Sequence, residues 1–187
     1  LAEKCFKDYR KKYIKYFDTN KKKVKGKKTM LDTSPRVILV QNVGLFSVGD
    51  SLGAAKIAGD LTETNARVIS SVEETSKYKF IPEKDLFDVE YWSLEQAKIK
   101  KAKKELQANV VVITGSFGAI GSATYKLFKS YGAEVVLLDY NLQKVKEMKS
   151  KVKDLCLHCD VTNKDSVKKA FKIITETYGG IDILISN

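Results

Sequence analysis

The stretch Thr114-Gly115-Ser116-Phe117-Gly118-Ala119-Ile120-Gly121 lies between an apolar β-branched run and an amphipathic helical pattern. No other feature restricts the fold as much. Gly115 permits a tight turn out of the strand, Gly118 lets main chain approach a ligand, and Gly121 allows the helix to pack closely on the sheet. The helix then offers unpaired N–H groups and its positive dipole end to an anion such as a pyrophosphate. The same glycines could shape a turn in an α/β protein that binds no nucleotide, but the strand-turn-helix context favours the dinucleotide reading.

From Val110 onward, short β-branched runs alternate with helical patterns, the arrangement of βαβ units around a parallel sheet. The runs are Val110 to Thr114, Glu134 to Asp139, Leu155 to Asp160 and Ile181 to Ser186. Three helical stripes separate them: Ile120, Ala123, Leu127 and Tyr131; Leu142, Val145, Met148 and Val152; Val167, Ala170, Phe171, Ile174 and Tyr178. Each stripe is expected to cover a sheet face. Asp139 ends the second strand 24 residues after Gly115, where a carboxylate can accept hydrogen bonds from both ribose hydroxyls and repel a 2′-phosphate. No Arg stands in the glycine turn or directly after Asp139, so NAD is expected over NADP. The bland alternative for Asp139 is a solvated strand-end acid.

The first part of the chain reads differently. Phe6, Tyr9, Tyr13 and Tyr16/Phe17 recur at helical spacing, so a helix from about Glu3 to Phe17 carries an aromatic stripe that needs a partner surface. Asn20 to Lys28 has no period and reads as a flexible connector. Val37 to Gln41 is a short strand with a turn at Asn42 to Gly44. Asp50 or Ser51 can cap a helix with Leu52, Ala55, Ala58 or Gly59, and Leu61 on one face, and helical character resumes over Val68 to Thr75. Pro82 breaks it, and Leu86 to Lys104 leads through an aromatic patch into a basic helical segment. Tyr78, Phe80, Tyr91 and Trp92 are expected to make packing or interdomain contacts.

Net charge is +11, and thirteen Lys/Arg against four Asp/Glu fall within residues 1–36. Only three of the bases are Arg, which argues for a solvated face or tether and against a nucleic-acid reader. No apolar stretch approaches the ~20 residues of a membrane span, and the N-terminus has neither a signal core nor a cleavage site. Three cysteines suit a reducing cytoplasm. Cys156-Leu157-His158-Cys159 has ligand-like spacing, but in a strand the two thiols point to opposite faces and cannot share an ion.

The glycine turn after Val110 to Ile113, the acid of Leu137-Leu138-Asp139-Tyr140-Asn141, the stretch Cys159-Asp160-Val161-Thr162, and Gly180 to Asn187 together resemble the short-chain dehydrogenase/reductase family. The resemblance implies that Gly115, Phe117, Gly118, Ile120 and Gly121 line the dinucleotide phosphates and that Asp139 meets the adenosine ribose. Asp160 and Val161 would meet the adenine, and Asn187 would begin the segment beside the cofactor. Ala119 stands where the family usually has its middle glycine, which implies a tighter fit. Residues Ser34 to Leu61 and Asp85 to Lys98 resemble the tail of the class II aldolase domain in bifunctional aldolase/short-chain dehydrogenases. Those fusions are often called rhamnulose-1-phosphate aldolase/alcohol dehydrogenases.

The expected fold class is α/β: the first half of a Rossmann-type doubly wound parallel sheet, preceded by an α/β tail segment of a class II aldolase-like domain. The expected divisions are 1–35, a basic amphipathic helix and linker; 36–105, the aldolase tail and interdomain linker; and 106–187, the N-terminal half of the dehydrogenase domain. The resemblance implies an NAD-dependent alcohol/aldehyde oxidoreductase, with a sugar-derived substrate such as lactaldehyde. The parent would be a cytoplasmic homo-oligomer with no nucleic-acid or membrane partner. The family's Tyr-x-x-x-Lys and partner Ser are expected beyond Asn187, since Tyr9 with Tyr13, or Tyr125 with Lys126, lacks the spacing or place. With His158 the only histidine, aldolase zinc ligands are also expected elsewhere. The 187 residues alone are then a fragment with neither catalytic centre and no metal site. A non-catalytic NAD-binding module with a basic arm is the alternative.

Overall fold

The structure is a computed structural model describing residues 2–98 and 104–187. The chain divides into two compact units, Leu1–Gly49 with Gly53–Ala102 and Asp50–Leu52 with Lys103–Asn187.

The first unit is built on aromatic packing. Helix α1 (Ala2–Asn20) is longer than its stripe suggested and meets the partner surface the stripe required in α3 (Glu83–Glu90). Phe17, Phe87 and Tyr91 are buried together, with Tyr13, Tyr16, Val24 and Leu31 packed around them. Phe87 and Tyr91 stack at 4.5 Å between ring centroids, and Phe17 lies 5.0 Å from Tyr91. Such stacked and tilted pairs add to the stabilisation that area burial gives.

The phenol groups at the edge of this cluster converge on one carboxylate. Tyr13 and Tyr16 donate to Glu90 at 2.7 and 2.8 Å, and the hydroxyls of Tyr13 and Tyr91 are 2.6 Å apart. Burial, then these hydrogen bonds and the charge of Glu90, hold both donating phenols far above the ordinary tyrosine range. The expected connector after α1 is not free chain. Lys21–Lys23 form a 3₁₀ turn, Val24 packs on the aromatic cluster, and the Lys28 ammonium donates to the Tyr91 carbonyl at 2.8 Å.

Strand β1 (Val37–Val40) pairs antiparallel with β2 (Gly44–Ser47), which the sequence reading had not anticipated. Helix α2 (Leu52–Glu73) runs unbroken through the expected gap and has no buried residue; its expected face fails at Leu61, which is exposed. Pro82 is the N-cap of α3, and α4 (Ser93–Lys98) follows after Trp92. The rest of the expected basic helix, residues 99–103, lies outside the described residues.

The second unit has a four-stranded parallel sheet in the order β5-β4-β3-β6. Its strands are β3 (Val110–Ile113), β4 (Glu134–Asp139), β5 (Leu155–His158) and β6 (Ile183–Ile185), three of them shorter than expected. All four residues of β3 are buried, as a central parallel strand requires. Helices α5 (Ala119–Ser130) and α6 (Leu142–Lys151) cover one face, where Val111, Ile113, Val135, Leu137 and Val145 meet Tyr125, Phe128 and Met148. Helix α7 (Lys164–Tyr178) covers the other, where Ala170 and Ile174 pack on Val112, Val136 and Leu138. Right-handed crossovers dictate this change of side, because β6 returns past β3 in the opposite direction to β4.

The stripe expected on α7 is the one buried. On α6, Val145, Met148 and Val152 turn inward but Leu142 is half exposed. On α5 the expected stripe is the wrong one. Ile120, Ala123, Leu127 and Tyr131 face outward, while Gly121, Tyr125 and Phe128 turn to the sheet. The cause is Gly121, which lacks a side chain and so lets that side of the helix come closest.

At the amino edge of the sheet, Asp154 accepts from the Tyr125 hydroxyl and the Lys129 ammonium, both at 2.8 Å. Burial first, then the hydrogen bond to Asp154 and its charge, push the Tyr125 phenol up to about 12. A phenol whose folded value is raised stabilises the fold fully below its ordinary value of 10 and loses that contribution as pH climbs toward about 12. Replacing Asp154 with Ala is therefore expected to return Tyr125 ionisation toward pH 10, the ordinary value, read from the ring-carbon NMR shift of Tyr125. An unchanged titration would contradict the hydrogen bond.

Candidate functional site

The loops that leave the carboxyl ends of β3, β4, β5 and β6 contain the residues singled out in the sequence. Gly115 turns the chain out of β3 at φ +57, a left-handed conformation that glycine adopts without strain. The next two amides are committed to β4: Ser116 N–H donates to the Leu138 carbonyl at 3.1 Å, and Phe117 N–H to Asp139 Oδ2 at 2.9 Å. The Ser116 hydroxyl is buried and bonds both the Ile113 and Leu138 carbonyls, at 2.6 and 2.9 Å. The glycine turn and the acid behind it are thus one hydrogen-bonded unit.

Beyond Phe117 the loop is different. Gly118 is the N-cap of α5 and has no side chain to close it. Helix α6 is closed by Asn141, which accepts from Lys144 N–H, and α7 by Asn163, which accepts from Asp165 and Ser166. The first-turn amides of α5, at Ala119, Ile120 and Gly121, have no intrahelical acceptor. They meet the positive end of the helix dipole at a glycine, which suits an anion with close main-chain approach.

A Cβ on Gly121 would stand 2.3 Å from the Gly115 carbonyl oxygen and 2.7 Å from Ser116 Cα. Gly121 therefore seats α5 directly against the glycine turn at the end of β3, and that close approach goes with the packing of the same side of the helix on the sheet. A Cβ on Gly118 would make only an ordinary 3.4 Å contact with the same oxygen, so the fold does not demand glycine there. Ala119, in place of the family's middle glycine, is accommodated as the first residue of α5.

Asp139 has its second oxygen, Oδ1, on the amide of Asn141 at 2.9 Å. Each carboxylate oxygen keeps a further lone pair for a ribose hydroxyl. Phe117 contributes differently from the other expected phosphate-lining residues: its ring packs into the core and its amide holds Asp139. Ile120 is exposed at the helix start, and Val161 is exposed in the loop after β5.

Asp160 Oδ1 accepts from the Thr162 hydroxyl at 2.7 Å and the Thr162 amide at 2.9 Å. The Thr162 hydroxyl, then the amide, hold its carboxyl below the usual range, so it stays an ionised acceptor near neutrality. Asn187 reaches across from β6, donating its side-chain amide to the Thr114 and Gly115 carbonyls at 3.3 and 3.2 Å, and its main-chain N–H to the Thr114 hydroxyl at 3.0 Å. Along the sheet order, Asp160, Asp139, the glycine turn and Asn187 lie side by side. The turn falls at β3, where strand order reverses and α/β sheets open a ligand crevice.

Cys156 and Cys159 belong to opposite faces of the sheet, one in each core cluster. Burial pushes both thiols up. Among the described residues no group of three or more His, Cys, Asp or Glu could hold a metal ion.

The spacing Tyr-x-x-x-Lys does occur in the chain, contrary to the sequence reading that paired Tyr125 with Lys126. It occurs at Tyr125/Lys129 and at Tyr140/Lys144. Tyr125 and Lys129 are bound to Asp154 at the far edge of the sheet, and the phenol is shifted away from neutrality. Tyr140 precedes the N-cap Asn141 and lies outside the helix that carries Lys144, its ring beside His158 at 6.0 Å. Neither pair is therefore arranged as one helix-borne acid/base couple at the glycine turn: the first is held at Asp154 and the second is split between a loop and α6.

The fold and these loops define a Rossmann-type α/β unit. Comparison with known proteins makes the family specific: residues 1–99 match the aldolase class II, second domain, and residues 109–187 match the short chain dehydrogenases. The chain belongs to the aldolase class II second-domain family, continued in the same polypeptide by a short-chain dehydrogenase segment. It is 30% identical over 167 residues to the uncharacterised oxidoreductase YuxG of Bacillus subtilis (strain 168), covering 84% of this chain and 24% of that protein. Secoisolariciresinol dehydrogenase of Forsythia intermedia is 39% identical over 87 residues, which are 45% of this chain and 31% of the relative. The chain thus spans only about a quarter to a third of these relatives, 24% and 31%. Among solved structures, the 3-ketoacyl-(acyl-carrier-protein) reductase from Brucella melitensis complexed with NADH is 27% identical, with TM-score 0.38 over 41% of this chain and 32% of that one.

Gly121→Ala is expected to destabilise the second unit by ~1–3 kcal/mol, the usual range for overpacking against main chain. Gly118→Ala should cost less, no more than ~1 kcal/mol, as the exchange of a glycine N-cap for a poorer one. Thermal unfolding of the two variants checks this, and equal effects would contradict the seating of α5 on the Gly115 carbonyl.

Proposed function

We propose that the protein containing this chain is an NAD-dependent short-chain dehydrogenase joined to a class II aldolase. The observation that carries the reading is the bond from Phe117 N–H to Asp139, which ties a phosphate-accepting turn to a ribose-accepting acid. The open first turn of α5 takes the pyrophosphate, with Gly115, Gly118, Ile120 and Gly121 around it. Asp139 takes the adenosine ribose, and Asp160 with Val161 meets the adenine. Asn187, locked to Thr114 and Gly115, borders the nicotinamide half.

Bound nicotinamide supplies the hydride acceptor for an alcohol, or the donor for an aldehyde. Asp139 sets the choice of dinucleotide, because its charge opposes a 2′-phosphate at a turn that carries no Arg. Tyr125 and Lys129 are held by Asp154 at the amino end of the sheet, and Tyr140 and Lys144 are not carried on one helix, so these 187 residues serve to bind the cofactor and the substrate proton is moved by residues outside them. The substrate class is a small alcohol or aldehyde, such as lactaldehyde, which an aldolase acting on a sugar phosphate would release. The working protein is a cytoplasmic homo-oligomer, with neither nucleic acid nor membrane as a partner.

Calorimetric titration with NAD and NADP tests the reading. NAD is expected to bind the more tightly. Asp139→Ala is expected to weaken NAD by roughly 10- to 100-fold, the loss of charge-assisted hydrogen bonds of ~1.5–3 kcal/mol, and to narrow the gap to NADP. Asp139→Asn should keep part of the NAD affinity. Tighter binding of NADP by the unaltered protein, or indifference to Asp139→Ala, would refute the assignment of that acid.

A further inference from the structure

At the carboxyl edge of the second unit, Tyr140 stands directly after the acid that ends β4. It is 71% exposed, more than any other aromatic side chain of that unit among the described residues. Its backbone is nonetheless fixed on both sides. The Asp139 carbonyl accepts from the Cys159 amide at 2.9 Å, and the Asn141 amide donates to Asp139 Oδ1 while the Asn141 side chain caps α6. On the neighbouring strand, His158 pairs in register with Asp139, is exposed at the end of β5, and sets its ring 6.0 Å from that of Tyr140 at a 40° tilt. Aromatic rings attract each other at such separations, so Tyr140 is braced on one side and open to solvent over most of its surface. The loop that follows His158 carries Asp160, whose Oδ1 is bound by Thr162, and the exposed Val161. Two adjacent loops thus offer an open ring, a carboxylate and an apolar side chain beside Asp139.

We propose that Tyr140, braced by His158, is the platform on which the adenine ring of the dinucleotide stacks. This rests on the assignment of Asp139 to the adenosine ribose and extends it by one residue along the chain. A base attached to a ribose at Asp139 leaves that acid on the side of the β4 and β5 loops, where Tyr140 presents its ring. Stacking asks for no particular pattern of donors and acceptors, because every base has a π face. The choice of base falls instead to Asp160, a pure acceptor that takes the exocyclic amino group of adenine and opposes the carbonyl oxygen that hypoxanthine carries at the same ring position. Tyr140 thus supplies affinity and Asp160 selects the base. The brace from His158 matters because a ring already held in place loses less freedom when the base arrives.

Calorimetric titration of the full-length protein with NAD tests the platform. Tyr140→Ala is expected to weaken NAD roughly 5- to 100-fold, the range of base–aromatic stacking, whereas Tyr140→Phe keeps the ring and should stay within about 3-fold of the unaltered protein. His158→Ala should weaken NAD by a smaller factor, and should add no further loss once Tyr140→Ala is present, because the brace acts through that ring. ADP-ribose, which lacks the nicotinamide, should shift the ring resonances of Tyr140, identified by their loss in Tyr140→Phe. Equal NAD affinity in Tyr140→Ala and the unaltered protein overturns the proposal, and so does an equal loss in the Phe and Ala variants. If circular dichroism finds Tyr140→Ala unfolded, the ADP-ribose measurement on the unaltered protein decides, and Tyr140 resonances unmoved at saturation are the contrary result. Failure of the unaltered protein to bind NAD refutes the dinucleotide reading together with the platform, while NAD binding that ignores Tyr140→Ala removes the platform alone.

Discussion

The close seating of α5 on the glycine turn decides most of what the second unit can do. With hydrogen as its side chain, Gly121 lets the helix start where a Cβ would stand 2.3 Å from the Gly115 oxygen. The helix axis is thereby aimed at the end of β3, and its first amides open onto the carboxyl edge of the sheet. Ser116 and Phe117, held to Leu138 and Asp139, then fix the turn relative to the neighbouring strand. The open first turn of α5 and an acid 22 residues further along from Phe117 become one hydrogen-bonded arrangement, which under the proposed function is the kind of preorganisation that lowers the cost of binding.

The first unit depends on a different device. A carboxylate with two phenol donors, Glu90, lies at the edge of an aromatic cluster, and the polar ends of Tyr13, Tyr16 and Tyr91 are satisfied there. Aromatic bodies supply the buried area and the hydroxyls find acceptors, so the burial of tyrosine carries no unpaired group. The sheet of this unit, by contrast, is the two-stranded pair of β1 and β2 among the described residues.

Much of the second unit was legible because parallel strands buried on both faces must be continuous apolar runs. Val110 to Ile113 could be little else, and Asp139 followed from the end of the next run. The inward face of α5 was not legible, because Ile120, Tyr125, Leu127 and Phe128 offer apolar residues on two sides and the deciding residue, Gly121, adds nothing to an apolar stripe. Strand β2 escaped because Gly44-Leu45-Phe46-Ser47 has no β-branched residue and stands as a strand only through its pairing with β1. The Tyr125–Lys129 spacing is visible in the sequence, but the bond of both residues to Asp154 depends on tertiary placement. The double duty of Phe117, ring in the core and amide on Asp139, could not be read from its position in a motif.

The most direct measurement is an amide NMR titration of the protein with NAD. The account predicts the largest shifts at Ala119, Ile120 and Gly121, with smaller ones at Phe117 and Asn141 as Asp139 takes up the ribose, and little change in the capped first turns of α6 beyond Asn141 and of α7. Shifts concentrated elsewhere, with the three first-turn amides of α5 unmoved at saturation, would contradict it.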